Sequence, residues 1–160
     1  MANTYTQIVI QIVFSTEGRA KSIPSNLNEE LQKYISGIVG KRGHKLLAIN
    51  NMMDHIHILI GYNPSQPLPD LVRDIKRNSS RFINDRRPRL GKFAWQSGYG
   101  AFSYTRSQIP TVIRYIKDQQ SHHRTRTFKE EYLEMLEKFG VDYDPNFVVD
   151  RKIDSAGDEN

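Results

Sequence analysis

The sequence predicts an α+β fold in which helices pack on an antiparallel β-sheet. Two observations lead to this prediction: short apolar segments alternate as strands do, and the segments between them repeat their apolar residues at helical spacing. The segments follow the order strand, helix, β-hairpin, helix, strand, helix, helix, which is typical of helices layered on a sheet. No internal repeat interrupts this order.

The first half of the chain begins this layer. Residues 5–14 are apolar on both sides, as in a central strand that is covered on both faces. Residues 27–38 have the apolar spacing of an amphipathic helix. Two apolar runs between residues 45 and 60 flank Asn50 and Asn51, and these residue types tolerate the backbone of a tight turn. A β-hairpin that turns at the two asparagines is therefore predicted.

The second half adds one strand and three helices. A helix is predicted from Pro69 to Ile83, because a helical apolar stripe follows three prolines and proline suits a first helical turn. The aromatic-rich residues 93–104 indicate a loop that enters a strand. Two further helices are predicted, from Ile109 to about His123 and over residues 132–139.

Length and composition predict one compact domain. The chain has 160 residues, of which 38% are hydrophobic, so it can bury a core. We expect residues 1–143 to form the domain and residues 144–160 to form a polar, flexible tail. No signal peptide or membrane span is evident, which predicts a cytoplasmic protein with no membrane partner. The absence of cysteine means that any metal must be held by histidine, carboxylate or amide ligands.

A His-x-His pair is the first candidate site. In a strand, Ile56, Ile58 and Ile60 point to one face, whereas His55 and His57 point to the other. Two imidazoles side by side on a rigid strand can bind a metal ion. The alternative is a polar strand face that carries two histidines by chance.

Tyr115 and Gln119 are the second candidate pair. They are four residues apart and therefore neighbours on a helix, beside rather than within its apolar stripe. A phenol activated by a metal or a base can act as a nucleophile, although packing with the hydroxyl in water also fits this position. His122 and His123 follow, and either could be a third metal ligand, a proton carrier or a phosphate contact. A polar helix end is the alternative for both.

A basic surface in the middle of the chain favours a nucleic-acid partner. The chain carries 23 Lys and Arg against 18 Asp and Glu, a net charge of +5. The predicted helix from Pro69 places cations at four-residue spacing, a ridge that can follow a phosphate backbone. The predicted DNA-binding residues are Arg73, Lys76, Arg77, Arg81, Arg86 and Arg87. The aromatics after them (Phe93, Trp95, Tyr99, Phe102 and Tyr104) can stack unpaired bases or belong to the core.

Together these features resemble the HUH single-tyrosine transposases of small bacterial insertion sequences, the IS200-like family to which REP-associated tyrosine transposases are related. The resemblance extends from about Tyr5 to Phe139. Its motifs are the His55-Ile56-His57 strand, the basic helix with Lys76 and Ser79-Ser80, the segment Trp95-Gln96-Ser97-Gly98-Tyr99, and the helix with Tyr115-Ile116 and Gln119.

The resemblance implies a ferredoxin-like or RNA-recognition-like fold and a Mg²⁺ or Mn²⁺ site formed by His55, His57 and Gln119. It further implies that Tyr115 attacks single-stranded DNA through a 5′-phosphotyrosine intermediate, so that strands are cut and rejoined. Members of the family are homodimers that recognise hairpins at the element ends, often with the active site shared between subunits. Gln120 or His122 could replace Gln119 as the third ligand.

Three other functions remain compatible with the sequence. The chain could be a domesticated relative that has left its mobile element. It could also be a non-catalytic module that binds single-stranded DNA or RNA, as the basic helix and aromatics would allow. A HUH nuclease of plasmid replication or transfer is the third, but such proteins usually carry more sequence than this chain.

Overall fold

A four-stranded antiparallel sheet forms the centre of the protein, in a computed structural model that describes residues 3–122, 125–146 and 148. The strands lie in the order β2-β3-β1-β4, and every neighbouring pair is antiparallel. Their bounds are Val9–Ser15 for β1, Lys45–Asn51 for β2, His55–Gly61 for β3 and Gly100–Tyr104 for β4. The predicted α+β class is confirmed.

Helices cover both faces of this sheet. The helices are α1 Asn28–Lys41, α2 Leu68–Arg86, α3 Ile109–Lys117, α4 Gln119–His122 and α5 Phe128–Lys138. Ile12 and Ile58 pack with α1 and α2 on one face, and Leu59 packs with α3 on the other, where α5 also lies. The alternating apolar residues of β1 and β3 thus enter cores on opposite faces of the sheet. Within the described residues, no helix is both long and apolar enough to cross a membrane.

The predicted start of the first strand and the predicted turn of the hairpin are wrong. The first strand begins at Val9 rather than Tyr5, which is 89% exposed and pairs with no strand. The hairpin turns at residues 52–54, because Asn50 and Asn51 are buried in β2 instead of forming the turn. The Asn50 side-chain amide donates to the backbone oxygen of Ile116 at 2.9 Å. The cost of burying this polar side chain is thus offset by a hydrogen bond that joins β2 to α3.

The predicted tail falls mostly outside the described residues. Position 147 and positions 149–160 are not described, so the tail stays a prediction. Val148 is buried and belongs to the same apolar cluster as Val13 and Phe128. At least one residue beyond the predicted domain boundary at 143 therefore contributes to the core.

Gly100 allows β4 and α5 to approach closely, so Gly100→Ala is expected to destabilise the fold. A methyl group there would lie 2.6 Å from Cε2 of the buried Tyr132 ring, closer than atoms can pack. We expect a loss of about 1–3 kcal/mol in the free energy of unfolding, measured by urea denaturation. Gly37→Ala is the control, because nothing lies within 4 Å of its added methyl on an exposed turn of α1. The control should stabilise the protein by about 0.5–1 kcal/mol, and equal effects of the two changes would contradict the packing argument.

Candidate active site

The two histidines of β3 point to the same face of the sheet and are completely buried. Their rings lie 5.2 Å apart between centroids, and the ring of Phe128 stacks on His55 at 4.5 Å. Ile56, Ile58 and Ile60 of the same strand pack into the opposite core with α1 and α2. The sequence-based assignment of the two faces of this strand is therefore confirmed.

Each imidazole is oriented by an oxygen acceptor at its Nδ1 atom. His55 Nδ1 lies 2.7 Å from Asp54 Oδ1, and His57 Nδ1 lies 2.7 Å from Gln11 Oε1. Gln11 is itself held, since its amide donates to the Tyr104 hydroxyl at 2.6 Å. An outer hydrogen bond of this kind fixes the ring and directs Nε2 toward a possible ligand. Both Nε2 atoms face the same buried space, between β3 and the helices of this face.

Glu131 completes this cluster, and sequence analysis missed it. Its Oε1 atom lies 2.8 Å from His57 Nε2 and 3.9 Å from His55 Nε2, and the side chain is almost fully buried. Ligand atoms of the three side chains lie within 4.8 Å of one another, an arrangement that can hold a metal ion. A sequence signal existed. Glu131 falls on the apolar stripe of α5 with Phe128, Tyr132 and Met135, where a charged residue requires a partner.

Tyr115 reaches the same cluster from α3. Its hydroxyl donates to Glu131 Oε2 and accepts a hydrogen bond from Arg126 Nη2 at 2.7 Å. The ring meets that of His57 edge to face, at 6.3 Å between centroids. Burial raises the pKa of Tyr115 well above its usual range and Glu131 raises it further, whereas the positive charge of Arg126 opposes the increase. The phenol is thus neutral at physiological pH, with a carboxylate acceptor and a cation both in contact with its oxygen.

Gln119 also contacts His55, although the helix predicted through residue 123 is interrupted. α3 ends at Lys117, Asp118 leaves the helical conformation, and α4 begins at Gln119. The Gln119 side chain is fully buried, with Oε1 3.4 Å from His55 Nε2, while its amide donates to the Tyr115 backbone oxygen at 3.3 Å. The Gln120 side chain instead accepts a hydrogen bond from Asn50 at 3.3 Å. The His122 side chain and all of His123 lie outside the described residues.

The basic helix lies on the opposite face of the sheet from the histidines. α2 packs against Ile56, Ile58 and Ile60, so the sheet separates its outer surface from the cluster at His57. Four of the predicted DNA-binding residues are exposed, namely Arg73, Arg77, Arg81 and Arg86. DNA binding by these four residues remains a prediction. Because the sheet lies between them and the histidines, they could contact only a part of the DNA that is distant from the cluster.

The other two predicted DNA-binding residues are engaged within the fold. The Lys76 ammonium donates to the backbone oxygens of Gln96, at 2.9 Å, and Gly98, at 2.5 Å. Arg87 is buried, donates to the Leu90 backbone oxygen at 3.1 Å, and has its pKa lowered by burial. Arg87 therefore does not belong to the exposed basic ridge, because its side chain is turned inward beneath the loop after α2.

Three of the aromatics that we considered for base stacking are core residues. Phe93, Trp95 and Phe102 are buried, and Trp95 donates its ring N–H to Ser79 at 2.9 Å. Their faces are occupied by other side chains, so base stacking by these three is excluded by burial. Tyr99 and Tyr104 are half-buried.

Comparison with known proteins gives concordant matches. A family model described as transposase IS200 like matches residues 4–119. The ISDra2 transposase TnpA of Deinococcus radiodurans is 22% identical over 118 residues, which are 71% of this chain and 84% of that protein.

Solved structures share the fold. A transposase from Deinococcus radiodurans R1 superposes with a TM-score of 0.59 at 22% identity, covering 74% of this chain and 96% of that one. A REP-associated tyrosine transposase bound to a REP hairpin superposes with a TM-score of 0.58 at 13% identity, covering 77% and 73% of the two chains. At these identities the two structures support the α+β fold.

Proposed function

This chain belongs to the IS200-like transposase family, and we propose that it cuts and rejoins single-stranded DNA with Tyr115 as the nucleophile. The proposal rests on one observation: Glu131 contacts Tyr115 with one carboxylate oxygen and faces His55 and His57 with the other, although the histidines and Glu131 are distant in sequence. A protein that only bound nucleic acid would have no need to bury these groups together.

We propose that His55 and His57 hold a divalent cation with Gln119, Glu131 or both. The donor set suits such a cation: two imidazoles, each held by a hydrogen bond at Nδ1, face carboxylate and amide oxygens in a buried space without thiols. The family resemblance favours Mg²⁺ or Mn²⁺. When bound, the ion would polarise the scissile phosphate and orient it for attack.

The Tyr115 oxygen would attack the phosphorus atom of the scissile phosphodiester. A bond forms between this oxygen and phosphorus, the bond to the 3′ oxygen breaks, and a 5′-phosphotyrosine and a 3′-hydroxyl result. The phenol proton moves along its hydrogen bond to Glu131 Oε2, while Oε1 of the same carboxylate faces the histidines. The departing 3′ oxygen takes up a proton from solvent water, so one proton passes to Glu131 and one is taken from the solvent. Attack of a 3′-hydroxyl on the phosphotyrosine reverses these steps and rejoins a strand.

Arg126 would stabilise the charge that develops during this step. Its guanidinium touches the Tyr115 oxygen and lies 3.8 Å from Glu131 Oε2. A fixed cation at the nucleophile favours loss of the phenol proton and then pairs with the phosphate that becomes attached there. Arg126 is thus placed to bind the substrate phosphate as well as to position the nucleophile.

Hairpin recognition is proposed from the family and from the relative that was solved with a REP hairpin. The exposed cations of α2 can contact the backbone of such a hairpin, at a distance from the reacting phosphate. A homodimer is also proposed from the resemblance, although Tyr115 here contacts the cluster of its own chain.

The proposal is tested by trapping the covalent intermediate. Purified protein is incubated with Mg²⁺ or Mn²⁺ and single-stranded DNA that contains the palindromes flanking its gene. We expect a protein–DNA conjugate that survives denaturing electrophoresis, is abolished by EDTA, and yields a nucleotide on Tyr115 by mass spectrometry. Salt-sensitive binding with no conjugate at any metal concentration would instead support the non-catalytic binding module.

A further inference from the structure

A second cationic surface lies beside the candidate active site, on the face that α2 does not reach. A groove of about 600 Å³ is bounded by the loop after β1, by the turn between β2 and β3, and by the start of α5. Among the described residues that line it, the cations are Arg19, Lys21 and Arg126, and the one carboxylate is Asp54. Asp54 is already engaged, since its oxygen lies 2.7 Å from His55 Nδ1.

Two residues that line the groove also contact residues of the candidate active site. Arg126 lines it and also donates to the Tyr115 hydroxyl. Phe128 lines it as well, and the ring of this residue stacks on His55. A DNA strand that lies in the groove would therefore have its next phosphate close to Tyr115. The basic ridge of α2 has no such connection to the active site, because it lies on the other face of the sheet.

The backbone of Arg19 is strained. Arg19 is the one described residue other than glycine with a positive φ, at 54°, a conformation that side chains with a Cβ rarely adopt. The loop is fastened on both sides, since the Thr16 hydroxyl donates to the Ala20 oxygen at 2.6 Å and the Ile23 amide donates to the Met53 oxygen at 3.0 Å. Strain that is maintained in this way is typical of residues at functional sites.

The Arg19 side chain also has unused binding capacity. Its Nε atom is buried and has no hydrogen-bond acceptor within the described part of the chain. A buried N–H without an acceptor is costly. The guanidinium of Arg19 can bind an oxyanion that lies in the groove. The neighbouring wall is apolar, with Met52 and the 40%-exposed Met53, a surface that suits the face of an unpaired base.

We propose that this groove binds single-stranded DNA next to the scissile position, with Arg19 as the ligand of a backbone phosphate. The inference rests on the proposed function for the identity of the substrate. It adds the surface that guides the strand to Tyr115, which the α2 ridge cannot provide from the other face of the sheet. Lys21 neutralises a neighbouring phosphate, Arg126 contacts the scissile phosphate, and the methionines contact the bases.

The test uses Arg19→Gly, because glycine adopts a positive φ without strain and removes only the side chain. Binding of a short fluorescent oligothymidylate is measured in EDTA over a range of salt concentrations. We expect about tenfold weaker binding and a salt dependence that is shallower by about 0.7 in its logarithmic slope, the loss of one phosphate contact. The thermal midpoint should be unchanged or higher. Lys33→Ala on α1 is the control for net charge, since this side chain is exposed and pairs with Glu29 on the surface of the same helix.

The results of this experiment test the DNA-binding groove independently of the proposed catalytic function. Unchanged affinity and slope in Arg19→Gly, or an equal loss in Lys33→Ala, would overturn the proposal. So would a loss that is as large for duplex DNA, or a wild-type protein that does not bind the oligothymidylate. Because binding is measured without metal, a protein that forms no covalent conjugate can still confirm the groove. Conversely, a conjugate that forms normally in Arg19→Gly with unweakened DNA binding would leave the proposed function intact and refute only the groove.

Discussion

Tyr115→Phe is expected to abolish the covalent protein–DNA conjugate, with a fall of at least about 1,000-fold in the rate of strand cleavage, because it removes the nucleophile itself. The ring would keep its place between α3 and His57, so the fold should survive. The lost hydroxyl bonds to Glu131 and Arg126 should cost about 1 kcal/mol of stability. Single-turnover cleavage of hairpin DNA, followed on a denaturing gel, measures the effect.

Tyr104→Phe is the matched control for this change. Its hydroxyl is also half-buried on the same face of the sheet, where it accepts a hydrogen bond from Gln11 at 2.6 Å. This hydroxyl is one step removed from His57, so its loss should weaken the support of the imidazole and leave the conjugate in place. A conjugate that persists in Tyr115→Phe would exclude Tyr115 as the nucleophile.

His57→Ala is expected to remove the response of the reaction to Mn²⁺. We expect cleavage to fall at least about 100-fold, because an ion that polarises the phosphate contributes several kcal/mol to the transition state. Binding of single-stranded DNA should persist, since the cationic surfaces at Arg19 and along α2 are unaffected. Cleavage as a function of Mn²⁺ concentration, together with the rise of the thermal midpoint on adding Mn²⁺, distinguishes loss of the ion from loss of fold.

His44→Ala controls for the removal of a buried imidazole. His44 is also buried and is held at both ring nitrogens, by the Gln66 side chain at 2.8 Å and by the backbone N–H of Asn63 at 2.9 Å. His44 lies just before β2 and is paired with none of His55, His57 and Glu131. Its replacement should therefore lower stability without altering the response to Mn²⁺. Equal Mn²⁺ dependence in His57→Ala and the wild type would argue against a metal at this histidine.

Mixing the two inactive variants tests whether subunits share an active site. If Tyr115 serves the histidines of a partner, a mixture of Tyr115→Phe and His57→Ala subunits should recover up to about a quarter of the wild-type conjugate, given random pairing. The contact of Tyr115 with Glu131 in one chain predicts no recovery, because each subunit then lacks one required group. Recovery would show that α3 exchanges between subunits on DNA.

Local periodicity explains which parts of the fold could be predicted. Strand alternation placed His55 and His57 on one face, and the helical stripe of residues 109–116 placed Tyr115 at its edge, because both patterns depend only on backbone geometry. The turn of the hairpin was predicted at the wrong residues because local preference alone was used there too. Asn50 and Asn51 are good turn residues locally, but their side chains are required inside to bond α3 and α1.

The sequence by itself determined the α+β class, the family, the paired histidines and the tyrosine beside its helical stripe. Only the tertiary structure showed that Glu131, 74 positions from His57, lies between them and Tyr115, and that Arg126 contacts the same hydroxyl. It also placed the basic ridge of α2 on the other face of the sheet, and a strained Arg19 beside the site. The physical reason is that a sequence pattern shows which side of a helix is buried, whereas the packing of the whole chain decides which face of the sheet it covers and which side chains meet there.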